Sequence, residues 1–196
     1  EYIEQLYARY ATDPGAVDLS LLTGLHNDPD LQATHCLRAA SQDGEEGDAD
    51  AVQSCRDLIR HELALAWDAG DVDGHPDASV TEDVQVYLLY QGTRAVPVST
   101  FYFHLGRALH VLQDSFAHTY RRADRRQIVE VANWVEDVTG DRSTRVDGPP
   151  HDDDMDSCRC QQTWMVQLEA TTVQASVDLV TLASMEGTRT DREAAL

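Results

Sequence analysis

Apolar residues recur at helical spacing over most of this chain. Ile3, Leu6, Tyr7 and Tyr10 share one face of residues 1 to 12, and Asp13, Pro14 and Gly15 end that run, so a short helix is predicted there. The stretch 16 to 40 is broken by Gly24 and Pro29 and reads as two short helices joined by a polar turn. Residues 41 to 50, SQDGEEGDAD, read as a loose acidic loop. From Ala51 to Ala69 an amphipathic helix carries Val52, Cys55, Leu58, Ile59, Leu63, Ala66 and Trp67 on its apolar side and stops at Gly70.

The pattern then changes period. Between Asp83 and Thr100, β-branched and aromatic residues flank the turn signal Gln91-Gly92-Thr93, which predicts one small β-hairpin over about 84–98, with Pro97 on an edge strand. Ser99 or Thr100 caps a long helix that runs through Tyr120. Ile128, Val131, Trp134 and Val135 predict another helix over 125–138. Residues 139–160 form a long irregular loop, 162–184 a last helix, and 187–196 a flexible tail. The fold class expected is therefore mainly α, a helical bundle in a single domain, 1–196, with one hairpin.

Composition narrows the setting. A chain of 196 residues with 42% hydrophobic residues and no apolar run near 18 holds a real core and has no transmembrane segment. It opens at Glu1 without Met, compatible with removal of an upstream segment on export. Its 15 basic residues are all Arg and face 35 acidic ones, for a net charge of −20 that repels nucleic acid and anionic membranes at long range unless a bound cation reverses the sign locally. Cys36 and Cys55 bracket the acidic loop; a disulfide between them would tether two helices and would require an oxidising compartment, so the protein is expected to be secreted or periplasmic. Cys158 and Cys160 are too close for an unstrained mutual bond and either pair elsewhere or ligate a metal.

The chemistry lies in LGRALHVLQDSFAH, residues 105 to 118. Residues at i, i+4 and i+8 advance about 40° per step around a helix, so His110, Asp114 and His118 form one slowly winding stripe in an otherwise buried segment. Three such groups in register are costly to bury without a cation, and imidazole with carboxylate suits zinc or a similar ion. Other histidines carry less. His61 has no His at i+4, so HExxH is missing; His75 lies in a loop; His104 stands off the stripe and could at most support a ligand. Arg121, Arg122, Arg125 and Arg126 either hold a phosphate or complement the helix C-terminus, with the second reading ahead. HDDDMD lacks the order of a calcium loop, and neither a serine nucleophile elbow nor a phosphate-cradling glycine loop occurs.

The phrase FHLGRALHVLQDSFAHTYR resembles the metal-binding helix of the zinc-dependent phospholipase C and P1 nuclease superfamily, in which LGxxLHxxxD precedes a further His. The resemblance is specific over about twenty residues. It implies a helical fold of that type, a cluster of two or three Zn2+ ions, and hydrolysis of phosphate esters. Carried over, it places His110 and Asp114 on one zinc with His35, lets Asp114 reach a second, and gives His118 to the neighbouring ion. Asp28 or Asp30 would precede His35, with Asp28 orienting or deprotonating the attacking water, and His151 with Asp152 or Asp156 would complete the set. The family's third zinc uses the N-terminal residue and an early His; here no His precedes His26, so that ion depends on the Glu1 amino group or His26. The expected partner is a phosphate-ester substrate, a phospholipid ahead of nucleic acid, with an acidic pocket suited to a cationic head group. A P1-type nuclease and a non-catalytic, metal-stabilised binding module are the alternatives.

Overall fold

The computed structural model describes residues 32–39, 41–44, 46–70, 75–88, 92–133, 163–185, 187 and 189–196, with the side chains of 86–88 excepted. A 3-10 turn at Gln32–His35 leads to helix α1, Gly47–Asp68. A hairpin of β1, Thr81–Leu88, and β2, Gly92–Ser99, feeds helix α2, Thr100–Ala117. A second ribbon follows, β3 at Thr119–Arg121 and β4 at Ile128–Val131, and then helices α3, Thr163–Ala183, and α4, Arg189–Ala195. Among the described residues the architecture is mainly helical, with two small antiparallel ribbons.

Helices α1 and α2 pack along their apolar faces, and the C-terminal part of α3 closes the group. Leu63, Ala66, Trp67 and Ala69 of the α1 end meet Phe101, Leu105 and Ala108 of α2, with Leu179 and Ala183 of α3 against them. Each large side chain removed from water here contributes about 2 kcal/mol, so this small cluster sets the angle between the helices that carry the site. The indole N–H of Trp67 donates to the Ala183 carbonyl at 3.3 Å, which leaves that buried ring no unmet donor. A second cluster of Cys36, Cys55 and Val111, with Leu58 and Ile59, packs the 3-10 turn onto both helices. Cys36 and Cys55 form a disulfide with their Cα atoms 5.2 Å apart, so it ties α1 to the turn at 32–35.

The hairpin is longer at its start than the pattern over 84–98 indicates, with Thr81 opposite Ser99 and Leu88 opposite Gly92. Gly92 takes φ 72, a left-handed conformation that glycine adopts without steric cost. Ser99 stands at the N-cap of α2 in extended conformation, yet its hydroxyl makes no cap bond; backbone continuity from β2, with Thr100 N–H bonded to Val80 carbonyl at 3.0 Å, starts the helix instead.

Four expectations are corrected. The helix expected over 125–138 is not formed where it is described, over 125–133: Ile128, Val129 and Val131 are β-branched, and Ile128–Val131 form a strand paired with Thr119–Arg121. A turn with Arg125 at φ 62 and Arg126 N–H bonded to Asp124 Oδ1 makes that pairing possible. Helix α2 accordingly stops at Ala117 rather than Tyr120. The acidic loop 41–50 is shorter than expected, because Gly47–Asp50 already form the first turn of α1 with Asp48 and Asp50 at its positive end. The tail 187–196, expected to be flexible, holds helix α4, in which Arg189 bonds Glu193 and Asp68, while buried Arg192 donates to the carbonyls of Met185 and Gly187 and lies over the Trp67 ring. The helix expected over 1–12, most of the stretch 16–40 and the loop 139–160 lie outside the described residues.

Candidate metal centre

Helix α2 delivers His110 and Asp114 one turn apart, and the 3-10 turn brings His35 to meet them. Asp114 Oδ2 is 2.8 Å from His35 Nδ1 and 3.2 Å from His110 Nε2, and those two nitrogens are 3.2 Å apart. Protons alone satisfy this triangle poorly. If both rings present N–H groups, the two donors face each other; if His110 presents its lone pair, that pair faces the carboxylate oxygen. A cation among the three relieves every contact. In a tetrahedral zinc site with bonds near 2.0 Å, neighbouring ligand atoms are about 3.3 Å apart, so the triangle is close to one face of such a site. Among the described residues these three side chains form the group able to hold an ion.

The surroundings favour the ligand forms. Burial lowers the pKa of His110 from its ordinary value, the Asp114 charge opposes this, and His35, His118 and Arg107 add to the lowering. A neutral imidazole at neutral pH is what coordination requires. Position 35 is held on two sides, because Cys36 next to it is disulfide-bonded and the His35 carbonyl accepts a hydrogen bond from His118 Nδ1. That bond fixes the His118 tautomer with its acceptor nitrogen at Nε2, the arrangement common in ligating imidazoles. His118 itself is buried at the C-cap of α2 and stands outside the three-atom group. Its carbonyl accepts from Ala132 N–H, and the Ala132 carbonyl accepts from Arg38 N–H, so the β3–β4 ribbon anchors this end of the site.

The remaining expected site residues divide between outside and elsewhere. Asp28, Asp30, His26, His151, Asp152 and Asp156 lie outside the described residues, as do Cys158 and Cys160. His61 and His75 are exposed. Arg121 serves the fold: it donates to the Ser115 carbonyl and hydroxyl and to the Arg125 carbonyl, and stacks 4.1 Å over the Phe116 ring. Burial and then the Arg56 charge lower its pKa to about 10, which still leaves it charged at neutral pH.

One cluster was missed by sequence reasoning. Glu62, 3% exposed, receives His104 Nδ1 at 2.6 Å on one oxygen and Arg107 Nε at 2.8 Å on the other. His104 Nε2 lies 3.1 Å from Glu82 Oε1 of β1 without making a hydrogen bond to it, so a second carboxylate stands beside the imidazole. The available signal was Glu62 itself, a carboxylate at i+3 from Ile59 on the apolar side of α1. An open cleft of about 450 Å³ adjoins both clusters, and His35, His110, Glu62 and Arg107 all line it.

No protein-family model, curated protein or solved structure matches this chain.

Proposed function

We propose that this chain is a zinc-dependent hydrolase of phosphate esters, of the phospholipase C kind, working outside the cytoplasm. The observation that carries the reading is the convergence of His35, His110 and Asp114 donor atoms within 3.2 Å of one another. Two imidazoles and one carboxylate would suit zinc, and a set of three protein ligands is the kind found at catalytic rather than structural zinc sites. Bound zinc supplies a water acidic enough to ionise near neutral pH and positive charge for the phosphoryl oxygens. The three side chains hold and orient the ion, and the adjoining cleft gives a substrate access to two of them. Hydrolysis then joins the water oxygen to phosphorus, breaks the bond to the leaving oxygen, and passes a proton to that oxygen.

The phosphate-ester class rests on the resemblance of LGRALHVLQD, and further ions on His118 and His151 rest on it as well. A net charge of −20 weighs against a nuclease, whose substrate is a polyanion. The Cys36–Cys55 disulfide supports an oxidising compartment, and no helix of the described residues is long and apolar enough to cross a membrane.

Elemental analysis with turnover tests the reading. The expected result is at least one zinc per chain and chelator-sensitive hydrolysis of bis(4-nitrophenyl) phosphate. Less than one zinc, or a loaded protein that turns over no phosphodiester or phosphomonoester, refutes it.

A further inference from the structure

Arg107 lines the cleft together with His35 and His110. It follows Gly106 on α2, three residues before His110, so the two side chains are neighbours on one helix face. Its Nε is fixed to Glu62, and its guanidinium lies 5.7 Å from the Phe103 ring centroid. Glu62 of α1 is buried and is in turn fixed by His104, so the Arg107 side chain is held through a buried carboxylate. Neither Nη atom takes a protein partner among the described residues, although Arg107 is 45% exposed and lines the same cleft as His35 and His110. Apart from Thr34, the rest of that cleft is mostly apolar, with Leu58, Val111, Tyr102 and Phe103 among its walls. Gly106 also lines the cleft, and a Cβ added there meets nothing within 4 Å, so a larger side chain at this position has room to occupy cleft space.

We infer that this cleft binds an amphiphilic anion, with Arg107 gripping the anionic group through its Nη atoms beside the metal ligands and the apolar walls taking an alkyl or aryl group. The inference deepens the hydrolase reading and rests on it only for what the metal does. It also replaces the cationic head group expected from overall acidity. The carboxylate that lines the cleft, Glu62, already accepts from His104 on one oxygen and from Arg107 on the other, so it offers no free oxygen to a cation. A planar guanidinium pre-oriented by a buried acid suits a phosphoryl or phosphonyl group, which it meets with two parallel N–H bonds. The volume, about 450 Å³, suits a ligand of ordinary small-molecule size.

Calorimetric titration with n-octylphosphonate, which cannot be hydrolysed at the P–C bond, tests this directly on the full chain, both zinc-loaded and in chelator. Arg107→Gln is expected to weaken binding about tenfold to a hundredfold in both states, and Arg107→Lys to restore part of it. Gly106→Leu fills the cleft and should weaken octylphosphonate at least tenfold while leaving methylphosphonate binding within twofold. Octyltrimethylammonium should bind at least tenfold more weakly than octylphosphonate. Equal octylphosphonate affinity in Arg107→Gln and the parent, or tighter binding of the ammonium, overturns the inference. Absence of turnover with the Arg107 dependence intact refutes only the hydrolase reading; turnover without that dependence refutes only this one. If Arg107→Gln does not fold, Gly106→Leu and Arg107→Lys still decide the outcome.

Discussion

Replacing Asp114 by Asn removes a charge while keeping the side chain's volume, which separates ligation from packing. Since Asp114 Oδ2 contacts both histidine nitrogens, the Asn variant should lose most of its bound zinc, with affinity falling at least tenfold. The exposed His75→Ala variant should bind zinc like the parent, and equal losses in the two would refute the assignment. A pH effect belongs to the same residue scale. In chelator, burial foremost holds the pKa of His110 below its ordinary value of 6.5. The folded protein therefore binds that proton less readily than the unfolded chain does, so the stability tied to His110 is complete above pH 6.5 and is lost as the pH falls towards the lowered value. Urea unfolding between pH 8 and 5 should show a steeper loss for the parent than for His110→Gln; parallel curves would refute the coupling.

Among the elements, the 3-10 turn at Gln32–His35 is the weakest carrier of a ligand and the most dependent on its tether. Cys36 takes φ 53, a left-handed conformation rare outside glycine and asparagine, and it persists with the disulfide to Cys55 and the Leu37 N–H bond to the Gln32 carbonyl. A bond across 19 residues contributes about 3 kcal/mol in the chain-entropy account. The double variant Cys36→Ser, Cys55→Ser should lose stability of that order and also bind zinc more weakly, because His35 is no longer aimed at Asp114. Unchanged zinc affinity, measured under conditions where the variant is folded, would show that the tether serves stability alone. The elements themselves were legible in proportion to their length. The helices at 47–68, 100–117 and 163–183 repeat their apolar period over several turns, and the hairpin is marked by Gly92 and β-branched flanks. The β3–β4 ribbon was not legible, since four residues such as Ile128–Val131 satisfy either period and only pairing with Thr119–Arg121 decides between them. Helix α4 was missed for a similar reason: Arg192 is held by Trp67 and the Met185 carbonyl, contacts that a local pattern does not contain.

For the whole molecule, the candidate site was legible only as far as one helix reaches. His110 and Asp114 share a face by periodicity, whereas His35 lies 75 residues from His110 and was reached through the resemblance. Glu62, His104 and Arg107 meet only when α1 and α2 pack, so their joint role could not be read from either segment alone. A cation at such a junction ties the turn to α2, and the disulfide and core tie both to α1, so metal binding should be felt by global unfolding. At a free zinc concentration a hundredfold above Kd, the native state gains about 2.7 kcal/mol, which for a chain of this size raises Tm by roughly 5–10 °C. Screening of the −20 charge could raise Tm without any specific site. Asp114→Asn distinguishes the two causes: sodium chloride should stabilise it as it does the parent, because screening acts on the whole charge, while micromolar zinc should leave its Tm unchanged. A zinc-induced rise equal in both proteins would mean that the ion acts on the acidic surface at large and that the His35, His110 and Asp114 triangle is not its site.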